Sequence, residues 1–100
     1  MREFLRGAVR LHILHHAAKG EIHGAWMAAE LAHHGYAISP GSLYPTLHKM
    51  ESDGLLRSRS QVVGGRFRRS YTVTARGRRE LRATTVQLRE LAREVLGEQR

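Results

Sequence analysis

The chain has no cysteine, two prolines, one tryptophan and only nine acidic residues in 100. Without cysteine there are no disulfides, no thiolate metal ligands and no thiol nucleophile, which fits a reducing compartment. Histidine and arginine interrupt every short apolar run, so nothing approaches the roughly 18 apolar residues of a membrane span. The opening Met1-Arg2-Glu3-Phe4 lacks the apolar stretch and cleavage site of a secretory signal. The expected location is therefore cytoplasmic, with no membrane partner. Catalytic motifs are missing too: no nucleophile elbow, no phosphate-cradling glycine loop, no clear carboxylate pair. Glu51 and Asp53 lie close together but at a helix end, where exposed acids are common. The chain is not expected to be an enzyme.

Positive charge is what the chain has in excess. Seventeen Lys/Arg give a net charge of +8 and a pI near 11.3. Nine of these cations, against one acid, fall between positions 57 and 82, so that stretch alone carries the whole excess. Such segregation favours a polyanionic partner more strongly than bulk basicity does. A hydrophobic content of 41% in 100 residues indicates one globular domain with a modest core.

Periodicity predicts a first helix over 4–18, broken at Lys19-Gly20. It carries two apolar stripes: Phe4, Ala8, Leu11, Leu14 and Ala18 on one side, Leu5, Val9 and Ile13 on another. One stripe suffices to bury a helix in its own domain. The second, with Leu5, Val9 and Ile13, is assigned to contact with another subunit. A second helix is expected over 24–34, capped by Gly35, with Met27, Ala28 and Leu31 inward. Ser39 is positioned to cap a third helix, with Pro40 in the favoured first turn. Leu43, Leu47 and Met50 form its core stripe, and Gly54 ends it. Pro45 inside this helix removes a backbone hydrogen bond, predicting a local kink or widened turn with Gly41 giving room.

Two strands are read over 55–63 and 68–73, joined by a turn at Gly64-Gly65. Thr74 is expected to cap a last helix from Ala75 to about Leu96, about 33 Å long. Leu81, Thr84, Leu88, Leu91 and Val95 follow three-four spacing along it, and its far half overruns so small a domain. Leu81, Leu88, Leu91 and Val95 are therefore dimerisation candidates. The fold class is mainly α with a small β-hairpin: a winged helix-turn-helix over 1–74, then a C-terminal dimerisation helix over 75–100.

In that arrangement the third helix enters the major groove of DNA and the hairpin, or wing, lies against the adjacent backbone or minor groove. Ser42, Thr46 and Lys49 lie opposite the core stripe, with Tyr44 and His48 on the flanks. Small hydroxyls can bond phosphates or base edges, Lys49 supplies charge, and the Tyr44 phenol can donate to phosphate. Ser39, Ser42, Tyr44, Thr46 and Lys49 are thus DNA-binding candidates, set against the plainer reading of a solvated polar face. Strand alternation puts Arg66 and Arg68 on one face of the wing, both toward DNA. Arg69 falls on the other face, for phosphate contact or an internal ion pair. Arg76, Arg78 and Arg79 extend the patch at a helix end where cations are locally unfavourable.

The segments H-G at 23–24, S-P-G-S-L-Y-P-T-L-H-K-M-E-S-D-G-L-L at 39–56 and G-G-R-F-R-R-S-Y-T-V-T-A-R-G-R-R-E-L at 64–81 resemble the PadR family of bacterial transcriptional regulators. The resemblance implies a dimeric winged-helix repressor, usually released from operator DNA by a small effector. It also implies a last helix that pairs with the first helix of the other subunit. Ser42, Tyr44, Pro45 and Thr46 match the family's DNA-reading helix, and Gly65, Arg66, Arg68 and Arg69 its wing. His23 and Gly24 match its structural H-G pair. Two positions depart: Ala25 replaces the common tyrosine after H-G, with Trp26 beside it, and Phe67 replaces a frequent wing proline.

Seven histidines are many for 100 residues. His12 and His16, four apart, form a half-site for zinc or a similar divalent effector, completed by Glu30, His33, His34 or a second subunit. The alternatives are polar residues on a helix, or a pH response. Trp26 either stacks on an aromatic effector or simply packs. No cofactor is required by any reading. The rival functions are a winged-helix module for RNA or a protein partner, and an architectural DNA-binding protein.

Overall fold

In the computed structural model, which describes residues 2–97, the elements run α1 (Arg2–Lys19), β1 (Ile22–His23), α2 (Gly24–His33), α3 (Pro40–Ser52), β2 (Leu56–Val63), β3 (Arg66–Val73) and α4 (Ala75–Leu96). The last three residues of the 75–100 segment lie outside those described. The strands form one antiparallel sheet in the order β1-β3-β2. β1 was not read from the sequence. It has only two residues, Ile22 opposite Tyr71 and His23 opposite Ser70, and exists because β3 supplies its partner.

Helix periodicity sets the core. Leu43, Leu47 and Met50 of α3 and Met27 and Leu31 of α2 are fully buried, and Leu55, Leu56 and Tyr71 close the core from the sheet side. α1 corrects the assignment of its stripes. Val9 (7% exposed) and Ile13 (0%) sit in this subunit's own core beside Leu14 and Ala17, so they are not available to a second subunit. The i, i+4 row through Val9, Ile13 and Ala17 is the one buried in the core, since α1 packs on α2 and β3 within the subunit. Phe4, Ala8 and Leu11 instead line a groove against α4, while Leu5 stays exposed.

α3 runs unbroken through Pro45, and the Thr46 hydroxyl donates to the Ser42 carbonyl at 2.8 Å in the same turn. Ser39 stands at the N-cap position, but its side chain makes no cap hydrogen bond. Only its carbonyl joins the helix, accepting from the amides of Ser42 and Leu43 at 3.0 and 2.8 Å. The Thr74 cap does form: its hydroxyl accepts from the Gly77 amide at 3.0 Å and donates to the Gly54 carbonyl at 2.6 Å. One hydroxyl thereby ties the start of α4 to the end of α3.

β2 and β3 pair from Leu56–Val73 to Val63–Arg66, leaving Gly64 and Gly65 as a two-residue turn. Their φ values of 59° and 78° are the left-handed pair that such a tight hairpin demands and that glycine adopts without strain. α4 contrasts with every other helix. Its one buried residue is Gly77, and Val86, Leu88, Leu91, Val95 and Leu96 are all exposed.

Candidate nucleic-acid interface

α3 and the hairpin meet at the base of the wing, where Glu51 of α3 reaches Ser58 of β2. On α3, Ser39, Ser42, Tyr44 and Lys49 are exposed and Thr46 is partly so, opposite the buried Leu43/Leu47/Met50 row. Tyr44 is seated by the H-G pair. A methyl group at Gly24 would come within 2.5 Å of the Tyr44 Cε1 and 2.7 Å of its hydroxyl oxygen, so the phenol rests directly on the glycine backbone. Lys49 is held by Asp53 at 3.1 Å, and Asp53 also faces Arg10 at 3.7 Å. Exposed pairs of this kind are weak and exchange readily for a phosphate.

Strand register separates the wing's faces. Arg57, Arg59, Arg66 and Arg68 share the outer face, and no arginine lies directly opposite another: their partners are Thr72, Ser70, Val63 and Gln61. That spacing avoids the destabilisation of facing like charges. Arg69 falls on the inner face with Leu56, Ser58, Phe67 and Tyr71, as alternation anticipated. Arg69 has no carboxylate partner among the described residues; its charge lies instead near the Tyr71 phenol. Burial raises the Tyr71 pKa and Arg69 counters it. The buried phenol oxygen has Arg69 as its hydrogen-bond donor only at loose geometry.

Two carboxylates grip the base of the wing from opposite faces, and neither was read from the sequence. From the end of α3, the Glu51 Oε2 accepts from the Ser58 amide at 3.2 Å and its hydroxyl at 2.7 Å. From the turn before β1, the Glu21 Oε2 accepts from the Ser70 hydroxyl at 2.7 Å and from the Arg59 Nε at 3.2 Å. The Ser70 hydrogen bond first, then the Arg59 charge, holds the Glu21 carboxyl below its usual range. The Glu21–Ser70 contact spans 49 residues, beyond any local pattern, while the Glu51–Ser58 contact spans seven and closes the turn between α3 and β2. They orient the wing relative to α3.

The histidines gather away from this surface. His16 Nε2 and His34 Nε2 both meet the Glu30 Oε2, at 3.4 and 3.0 Å. His16 thus faces α2 within its own subunit and not a second one, with Trp26 edge-on to it at 5.2 Å. His12 lies 5.1 Å from both the His34 and Tyr36 rings and 6.4 Å from the His16 ring. Burial, then His34 and His15, lowers the His12 pKa; burial, then His15, lowers that of His16; Glu30 opposes both shifts. Among the described residues no three His, Cys, Asp or Glu side chains are arranged to hold a metal ion.

Two depressions flank the histidines. An apolar groove of about 630 Å³ runs between α1 and α4, lined by Phe4, Ala8, Leu11, Leu81, Leu88 and Leu91 among others. A smaller one of about 390 Å³ is lined by His16, Lys19, Glu21, His23 and the exposed Trp26. Among the described residues no helix is long and apolar enough to cross a membrane.

Three helices followed by a hairpin with a short third strand define a winged helix-turn-helix protein. Residues 13–83 match the Transcriptional regulator PadR-like family, and the chain belongs to it. It is 63% identical over 99 residues to the transcriptional regulator Rv3488 of Mycobacterium tuberculosis, covering 99% of this chain and 92% of that one. The structure superposes on a PadR family regulator from Eggerthella lenta with a TM-score of 0.82 at 32% identity, over 93% of this chain and 82% of the other. Bacillus subtilis PadR, solved in complex with operator DNA, shares the fold at a TM-score of 0.72 and 23% identity, over 79% of this chain and 46% of that one. The chain is thus a regulator of transcription rather than an enzyme.

Proposed function

We propose that this chain is a dimeric, cytoplasmic repressor that binds double-stranded operator DNA through α3 and the wing. The observation that carries this reading is the exposed, evenly spaced arginine face of the wing beside the polar face of α3. Arg66, Arg68 and Arg69 grip phosphates, while Ser39, Ser42, Tyr44, Thr46 and Lys49 approach the major groove. Because the Thr46 hydroxyl proton is given to the Ser42 carbonyl, Thr46 meets a base as an acceptor or through its methyl group. The relative from Bacillus subtilis, solved in complex with operator DNA, supports a DNA partner here.

The dimer forms at the α1–α4 groove. Leu88, Leu91 and Val95 stay 45–69% exposed, and apolar surface of this extent on one helix calls for a covering partner. α4 of a second copy fills the groove between Phe4, Leu11 and Leu81 of the first, with Leu5 at its edge. Release comes from an effector. A small aromatic molecule would stack on Trp26, and a divalent cation would use His12 and His16.

Competition binding of a labelled genomic duplex against unlabelled duplex and structured RNA tests the central reading. Duplex DNA displaces the label at far lower concentration. Equal or better displacement by the RNA would transfer the assignment to an RNA-binding module.

A further inference from the structure

The tip of the wing exposes apolar surface that neither the core nor the dimer groove uses. Phe67 is 85% exposed, the most of any large hydrophobic residue among those described, and its cross-strand partner Val62 is 63% exposed. Directly opposed, the two form a small apolar plate on the inner face of the hairpin, the face turned toward α3. Neither lines the α1–α4 groove. The plate is framed by charge: Arg66 and Arg68 precede and follow Phe67 and point to the outer face, and Arg69 shares the inner face two residues on. At its outer end the Gly64-Gly65 turn has no side chains to hold a surface away, and nothing lies within 4 Å of a methyl group built on either glycine.

An apolar plate with Arg69 on its own face and Arg66 and Arg68 on the opposite one fits a ribbon seated between two anionic rims with apolar walls between them. The DNA minor groove has that chemistry: phosphates along each rim, deoxyribose carbons along the walls. An anionic membrane also pairs charged headgroups with apolar depth, but a flat surface meets one face of the ribbon, whereas the two rims of a groove meet the arginines of both. We infer that Phe67 and Val62 form an apolar contact with the deoxyribose wall of the minor groove, flanked by phosphate contacts from Arg66, Arg68 and Arg69. This rests on the DNA-binding reading above and adds a component of affinity that does not depend on counterion release. The gripped base makes it workable. Glu51 and Glu21 fix the base from which the plate extends, at Ser58 and Ser70.

The test is the salt dependence of binding to a mixed-sequence duplex by the full chain and by Phe67→Ala, Phe67→Leu, and Arg66→Ala with Arg68→Ala. Loss of one largely buried aromatic contact lowers affinity about tenfold for Phe67→Ala at every salt concentration, with the slope of log affinity against log salt unchanged. Phe67→Leu, which keeps the apolar contact, recovers most of that loss. The arginine pair instead lowers the slope. Unaltered affinity for Phe67→Ala, or a loss appearing only as a change in slope, overturns the inference while leaving the arginine reading intact. Insensitivity of both the arginine and the phenylalanine variants removes the DNA-binding reading itself. Binding to phosphatidylserine vesicles that Phe67→Ala abolishes, with duplex binding unchanged, would reassign the plate to lipid. Phe67 is exposed, so its variants fold; thermal melting confirms that each remains native.

Discussion

α3 and the wing stand side by side and are built on opposite principles. α3 buries a full row of apolar side chains, shows small hydroxyls to the outside, and neutralises its lysine against Asp53. The wing buries only its base, and beyond Ser70 every residue toward the turn on β3 is exposed, three of them arginines. A rigid helix with little charge suits discrimination, because close approach and fixed geometry decide which base edge is accepted. A slender ribbon with permanent charge suits affinity, because phosphate contacts need little precision. Evolution of new operators through α3 need not disturb the grip.

The sharpest way to break the comparison is to disturb the joint both arms share. A methyl group at Gly77 would collide with the Leu55 carbonyl oxygen and come within 2.6 Å of the Val73 Cγ2, where α4 crosses the hairpin base. A backbone group cannot step aside as a side chain tip does. Gly77→Ala should therefore cost about 3 kcal/mol of stability, read by chemical denaturation, and weaken α3 and wing contacts together.

A subtler perturbation separates wing charge from wing position. Removing an acid beside a DNA interface ordinarily strengthens binding to any sequence. Glu51→Gln removes one, but also loosens the Ser58 grip that sets the wing against α3. Binding to a selected operator should fall by about 1 kcal/mol, the scale of one weakened charge-assisted hydrogen bond. Binding to mixed-sequence duplex should hold or rise. A parallel change on both DNAs would show that Glu51 acts through charge alone.

Much of this arrangement was legible in the chain. The core row of α3, the Gly64-Gly65 turn, the Thr74 cap and the opposite facing of Arg69 all follow from local period, turn chemistry or alternation. What was not legible depends on partners distant in sequence. α1 carries two apolar stripes, and only its packing on α2 and β3 decides that Val9 and Ile13 go inside. β1 needs β3, the Glu21–Ser70 bond spans 49 residues, and Gly24 is explained only by the Tyr44 ring upon it. Ser39 shows the converse: a strong cap residue in the cap position whose hydroxyl is not used for capping.

The smallest expected effect on either arm comes from pH. Folding holds the His12 and His16 pKa values below the ordinary 6.5, chiefly by burial. As pH falls through 6.5 the unfolded chain takes up these protons first, so stability declines over that window and levels off below the folded values. Facing groups are His15, His34 and Lys19, which add repulsion once charged, and Glu30, which opposes it. Melting temperature should fall on acidification from pH 7.5 toward 5.5, and replacing both histidines with glutamine should flatten that decline. The slope of DNA binding against salt at pH 7.5 should be the same in both proteins.

The division of labour itself is tested most directly by salt titrations on matched and mismatched duplexes, comparing Arg66→Ala combined with Arg68→Ala against Thr46→Ala. Two lost phosphate contacts should lower the salt slope by about 1.8, equally on every sequence. Thr46→Ala should leave the slope alone and shift preference among sequences by about 1–3 kcal/mol. An unchanged slope for the arginine pair, or a sequence-independent loss for Thr46→Ala, would contradict the assignment of affinity to the wing and specificity to α3.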